Sequence, residues 1–160
     1  MNVPTHLLKK IHKYFYNSKE SLSVAESCTG GLLSFWLTEL PGSSRYFKGG
    51  IVAYQTVVKV EQLGLSSQKI KQEGLVTPNC VRYMAQSIKN QFKSDWSLSI
   101  SGVAGPSKGD RGENVGKIAF SVCSPDTVRS LVKQFNDINR QNLRYKASFF
   151  ALDFLISEFK

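Results

Sequence analysis

Histidine is almost missing from this chain. His6 and His12 are the only two in 160 residues, and both fall in the N-terminal segment without a convincing third ligand. A histidine-built metal site is therefore not expected, and neither histidine reads as a general base. Cysteine is sparse: Cys28, Cys80 and Cys123 lie far apart with no C-x-x-C spacing. An odd, scattered set argues against a disulfide framework and for reduced thiols, hence a cytoplasmic protein. No apolar run reaches transmembrane length, and the N-terminus lacks the apolar core of a signal peptide. Neither membrane insertion nor secretion is expected. Basic residues are in excess, with a net charge of +9, yet no basic run is longer than Lys9-Lys10. Nucleic-acid arms concentrate their charge on one segment or face, so the surplus suits solubility and small anionic ligands better than a polynucleotide.

What is present is an ordinary globular composition, 41% hydrophobic and 21% charged, long enough for one domain over residues 1–160. Residues 5–17 carry Leu7, Leu8, Ile11, Tyr14 and Phe15 at helical spacing, with Pro4 near the start. Residues 22–25 read as a short buried strand, and a helix over 30–40 follows, capped by Thr29 or Ser27. Residues 47–58 read as a second strand, and Thr56 is a candidate cap for a short helix ended by Gly64. Ser66 is another candidate cap, for a helix to about residue 72, and Thr77-Pro78 opens a helix to about Phe92. Residues 96–101 alternate Trp96, Leu98 and Ile100 against three serines, the clearest strand signal in the chain. Strands over 115–123 and 127–135 and a helix over 140–159 complete it. That last helix is apolar enough to be buried or to sit at an oligomer interface. Strands interleaved with helices predict an α/β fold, a three-layer α/β/α sandwich around a mainly parallel or mixed sheet.

Two stretches invite a chemical reading. A strand feeding the hydroxyl- and glycine-rich turn at 26–31, just before a helix, is an anion-binding arrangement, although Gly30 and Gly31 also suit close helix–strand packing. The loop at 102–113 is long for a compact domain and follows a strand end, where open α/β sheets bind ligands. A flexible hairpin connection remains the plain alternative.

Two nucleophiles compete on spacing. Cys28 lies at a helix N-terminus, which can stabilise a thiolate. Ser44 lies in the Pro41-Gly42-Ser43-Ser44 turn and would need a proton acceptor, which a neutral Lys59 beside Tyr54 could supply. Tyr54 and Lys59 are five apart, so they converge only if the strand breaks between them. Placed in the first turn of a helix, Lys59 would then have a lowered pKa.

The runs AESCTGG (25–31), LPGSSRYFKGGIVAY (40–54), Lys59, SGVAGPSKG (101–109) and VGKIAF (115–120) together resemble the CinA C-terminal domain family along nearly the whole chain. The resemblance is to its stand-alone, single-domain members. It implies an α/β/α sandwich, a homo-oligomer (dimer or larger) and no metal or other cofactor. It also implies a nicotinamide-nucleotide amidase, converting nicotinamide mononucleotide to nicotinate mononucleotide and ammonia through a Ser/Tyr/Lys set. Those roles fall on Ser44, Tyr54 and Lys59. The nucleotide would be held by Ser27, Thr29, Gly30 and Gly31, by Ser101, Gly102, Ala104 and Gly105, and by Arg140 and Arg144. The chain departs from the family pattern at Gln55 and Thr56, at Lys108, and at Glu113-Asn114. A catalytically weakened nucleotide-binding protein of the same fold is the alternative.

Overall fold

The computed structural model describes residues 3–137 and 139–160. In chain order its elements are α1 (Thr5–Ser18), β1 (Leu22–Glu26), α2 (Leu32–Leu37), a 3-10 turn (Ser43–Arg45) and β2 (Phe47–Val52). Next come α3 (Thr56–Glu61), α4 (Ser67–Glu73), α5 (Pro78–Phe92), β3 (Trp96–Gly102), β4 (Lys117–Cys123), β5 (Val128–Gln134) and α6 (Arg140–Ile156). The five strands form one mixed sheet in the order β2-β1-β3-β4-β5. β2, β1 and β3 run parallel, and β4 and β5 add antiparallel to one side.

The period-2 pattern decides which layer each strand residue meets. Leu22, Val24, Leu98, Ile100, Ile118, Phe120 and Val122 pack with residues of α1, α2 and α6 on one face. Ala25 and Ala119 pack with Val81, Met84 and Ile88 of α5 on the other. This is the expected α/β/α sandwich. Both faces of β3 are covered, so the alternating serines do not face water. Ser97 Oγ donates to Ala85 O and Ser99 Oγ to Val81 O, each at 2.6 Å. A buried hydroxyl needs a partner, and the α5 main chain supplies it. Small residues on that face let α5 sit close to the sheet.

Thr77 and Ser66 cap their helices as the sequence predicts, accepting from Cys80 N and Lys69 N. Several boundaries differ from the sequence reading: β4 begins at Lys117 rather than 115 and α6 ends at Ile156 rather than 159. β2 stops at Val52 rather than running on to residue 58, and it is Gln55, not Thr56, that stands before α3. The strand therefore ends before Tyr54 rather than between Tyr54 and Lys59, and α3 turns Lys59 back toward the sheet edge. α2 is only six residues long, and neither Thr29 nor Ser27 caps it.

At Gly50, β2 leaves no room for a side chain beside β1. A Cβ there would fall 2.5 Å from Val24 Cγ2 and 2.7 Å from Val24 O. Gly50→Ala must push β2 off β1, and about 1–3 kcal/mol of stability is expected to be lost. A urea titration with unchanged midpoint would contradict this.

Candidate active site

The carboxyl ends of β1, β2 and β3 point the same way, and the chain leaving each contributes to one cleft of about 570 Å³. Ser27 follows β1, Tyr54 follows β2, and Ser101 and Gly102 end β3. The loop after β3 forms one wall, α4 and residues 74–76 face it, and Arg140 stands at the mouth. Open parallel sheets place ligands at this edge.

Lys59 reaches into the cleft from α3, and only 1% of its surface is exposed. Its Nζ lies 3.0 Å from Ser27 Oγ, 2.6 Å from Ala53 O and 3.4 Å from Tyr54 O. No ion pair among the described residues involves it. Burial drives its pKa below the ordinary lysine range, because an ammonium without water or a carboxylate is poorly stabilised. The cause therefore differs from the helix N-terminus expected from sequence. As an ammonium, Lys59 donates to all three oxygens. As a neutral amine it keeps protons on the two carbonyls and turns its lone pair to Ser27, which then donates. That second state is what activates a hydroxyl.

Glu26 gives the site its shape. It is completely buried. Its Oε2 accepts from Thr29 Oγ1 at 2.7 Å, Gly31 N at 3.0 Å and Leu33 N at 3.1 Å. Its Oε1 accepts from Ser34 N at 2.8 Å and Ser34 Oγ at 2.7 Å. The carboxylate thus caps α2 and fills the anion position that the 26–31 turn offers. The turn is an anion site, as its composition suggests, but the anion is the protein's own. Sequence reasoning missed this residue, although a glutamate closing a run of buried strand positions is itself a signal, because such residues are seldom buried without dedicated partners.

The predicted site residues divide into two groups. Ser27, Tyr54, Lys59, Ser101, Gly102, Ala104, Gly105 and Arg140 all line the cleft. Thr29, Gly30, Gly31 and Arg144 do not. Thr29 is wholly buried on Glu26, and Arg144 donates to Thr29 O at 2.7 Å while its guanidinium lies over Gly30. They brace the turn. Arg140 donates to Gly105 O at 2.5 Å and to the Tyr54 hydroxyl, joining the two lips of the cleft.

Ser44 is not brought to Lys59. It lies exposed in the 3-10 turn ahead of β2, at the end where Phe47 pairs with Leu22. Lys59 belongs to the far end, beyond Val52 and its partner Glu26. Five residue steps along the strand separate them by roughly 17 Å. The serine that meets the lysine is Ser27. Cys28 is no better placed as a nucleophile, since burial pushes its thiol up to about 12. Cys80 is pushed up to about 11, and all three cysteines are buried. The native protein should accordingly resist Ellman's reagent at pH 8, with three thiols reacting only after denaturation. A fast-reacting thiol in the folded protein would contradict the burial.

Among the described residues no three His, Cys, Asp or Glu side chains gather as a metal site, and no helix is long and apolar enough to cross a membrane.

Comparison with known proteins agrees with this architecture. The family model for the CinA C-terminal domain matches residues 4–159. A CinA-like protein of Fervidobacterium nodosum is 39% identical over 151 residues, covering 92% of this chain but 37% of the relative. One from Nostoc punctiforme is 41% identical over 138 residues, covering 85% of this chain and 33% of the relative. The chain thus spans about a third of the length of these relatives. Among solved structures, a competence or damage-inducible protein from Enterobacter asburiae superposes with a TM-score of 0.95 at 29% identity, covering 100% of both chains.

Proposed function

The chain belongs to the CinA C-terminal domain family, and from that membership and the cleft geometry we propose that it is a serine amidohydrolase acting on the carboxamide of a pyridine nucleotide. Nicotinamide mononucleotide is the substrate that the sequence resemblance implies. The observation that carries the reading is the 3.0 Å contact between Ser27 Oγ and the buried Lys59 amine at the open edge of the sheet. It replaces Ser44 with Ser27 as nucleophile and keeps Lys59 as base.

The steps follow from the contacts. Neutral Lys59 takes the Ser27 proton as Oγ bonds to the carboxamide carbon, and the carbonyl electron pair moves onto oxygen. The developing oxyanion needs preorganised main-chain N–H donors, which the turn and loop backbone lining the cleft would supply. The carbonyl re-forms, the C–N bond breaks, and the nitrogen leaves with the proton held by Lys59, as ammonia. Water then attacks the acyl-serine, giving a proton to Lys59; the bond from the acyl carbon to Ser27 Oγ breaks, Lys59 returns the proton to Oγ, and the acid leaves. Tyr54 contributes its carbonyl to Lys59 and its hydroxyl to the cleft mouth beside Arg140. Arg140 supplies positive charge where the ribose phosphate would emerge.

With nicotinamide mononucleotide as substrate, Ser27→Ala and Lys59→Ala should each lower ammonia release by about a thousandfold or more. Ser44→Ala should stay within about threefold of the wild type, as exposed positions away from a site usually do. Equal losses in Ser44→Ala and Ser27→Ala would reject the assignment. Nucleotide binding with no turnover in the wild type would leave a binding protein of the same fold.

The pH profile provides a second check. Only the neutral amine accepts a proton, and burial lets Lys59 lose its own below the ordinary value of about 10.4. kcat/KM should therefore rise with pH through an apparent pKa beneath that value and then level off. Lys59→Arg should remove the limb and the activity together, because a guanidinium stays charged. A rate independent of pH across that limb would contradict a lysine base.

A further inference from the structure

We propose that Glu26 is a positioning residue that sets the Ser27–Lys59 distance from both sides; this rests on the serine–lysine reading above. On the serine side, the Glu26 carboxylate binds the segment that follows Ser27 at five points, from Thr29 through Ser34. Ser27 is adjacent to Glu26, and its own main chain donates to Ile100 O at 3.1 Å and accepts from Gly30 N at 3.0 Å. The course of the chain through Ser27 is thereby fixed before and after its side chain.

On the lysine side, the Glu26 carbonyl accepts from Ala53 N at 2.7 Å. The carbonyl of that same Ala53 is the shortest acceptor of Lys59 Nζ, at 2.6 Å. One residue thus locates the hydroxyl through its side chain and the amine through its backbone. Nothing about this requires Glu26 to touch a substrate, and it does not line the cleft.

Glutamine at this position cannot reproduce the clamp. Five donors converge on the two carboxylate oxygens, and an amide NH2 must oppose at least one main-chain N–H, of Gly31, Leu33 or Ser34. The turn must shift to relieve that opposition, and Ser27 shifts with it. Displacements of about 1 Å at a reacting group can cost about 100-fold in rate. Ser34→Ala is the milder companion, because it removes one donor and leaves the other four.

The test compares wild type, Glu26→Gln and Ser34→Ala, each shown to be folded by its thermal melt. Steady-state kinetics with nicotinamide mononucleotide should show kcat lowered about 100-fold in Glu26→Gln, with KM within about threefold. Ser34→Ala should show the same split at a smaller size. Independently of turnover, the Lys59 amine is titrated by NMR of protein carrying 15N-labelled lysine. A displaced turn admits water to Nζ, so its pKa should move up toward the ordinary lysine value in Glu26→Gln. Folded variants with wild-type kcat and wild-type Lys59 titration would overturn the proposal. A wild type that hydrolyses no carboxamide would sink the amidase reading, while the titration would still decide whether Glu26 places the pair. Should Glu26→Gln fail to fold, an unchanged kcat and lysine titration in Ser34→Ala would be decisive against it.

Discussion

A carboxylate sealed from water must be met by donors, and Glu26 is met by five. Burying such a group without partners would cost several kcal/mol, so the chain around it has few alternatives to the conformation that brings those donors inward. Main-chain N–H groups at the start of a helix are well suited, since they have no partner inside the helix. The consequence spreads outward. α2 starts where Glu26 allows it, Arg144 is left to hold Thr29 O, and Ser27 is turned toward the open edge of the sheet. Specificity of local structure, more than gain in stability, is what such a buried charge provides here.

The same edge gathers the rest of the cleft because β1, β2 and β3 are parallel and all end there. Lys59 completes it by a different physical route. It is neither paired with a carboxylate nor exposed, and three oxygens around a dehydrated amine leave its proton loosely held. A buried anion with a full set of donors and a buried amine with none but weak acceptors stand on either side of one serine. The fold supplies rigidity to the first and reactivity to the second.

The sequence carried the architecture further than it carried the site. Period-2 and period-3.6 patterns, the Thr77-Pro78 start of α5 and the turn glycines were enough for the layers and for most elements, because each rests on local propensity. The break before Lys59 was also legible, since a continuous strand would have thrown Tyr54 and Lys59 to opposite faces. Choosing Ser27 over Ser44 was not possible from spacing. Both serines sit in turns beside strands, and what separates them is which end of β2 each turn occupies, a fact fixed by the parallel pairing of Leu22 with Phe47 and Glu26 with Val52. Glu26 was passed over for a related reason. Its donors lie three to eight positions ahead in the chain and converge only once the turn has closed. Arg140 and Arg144 were read as equivalent, yet one helical turn separates a residue at the cleft mouth from one that braces a turn behind it.

The wall between β3 and β4 differs in kind from the rest of the cleft. It is a hairpin connection whose own bonds, such as Gly109 N to Glu113 O and Gly116 N to Val103 O, close on themselves above the last sheet rung, Gly102 with Ile118. The loop is tied outward as well, through Val103 N to Lys117 O, Gln134 Nε2 to Val115 O, Arg111 to Gln72 O and Arg140 to Gly105 O. Lys108 and Asn114 are nevertheless exposed, so their side chains can change without disturbing the register beneath. Of the positions where this chain parts from the family pattern it resembles, Lys108, Glu113 and Asn114 fall in that stretch, while Gln55 and Thr56 stand at the start of α3, ahead of Lys59. Exposed positions of this wall can therefore be revised while the Ser27–Lys59 contact, set where the parallel strands end, keeps its geometry.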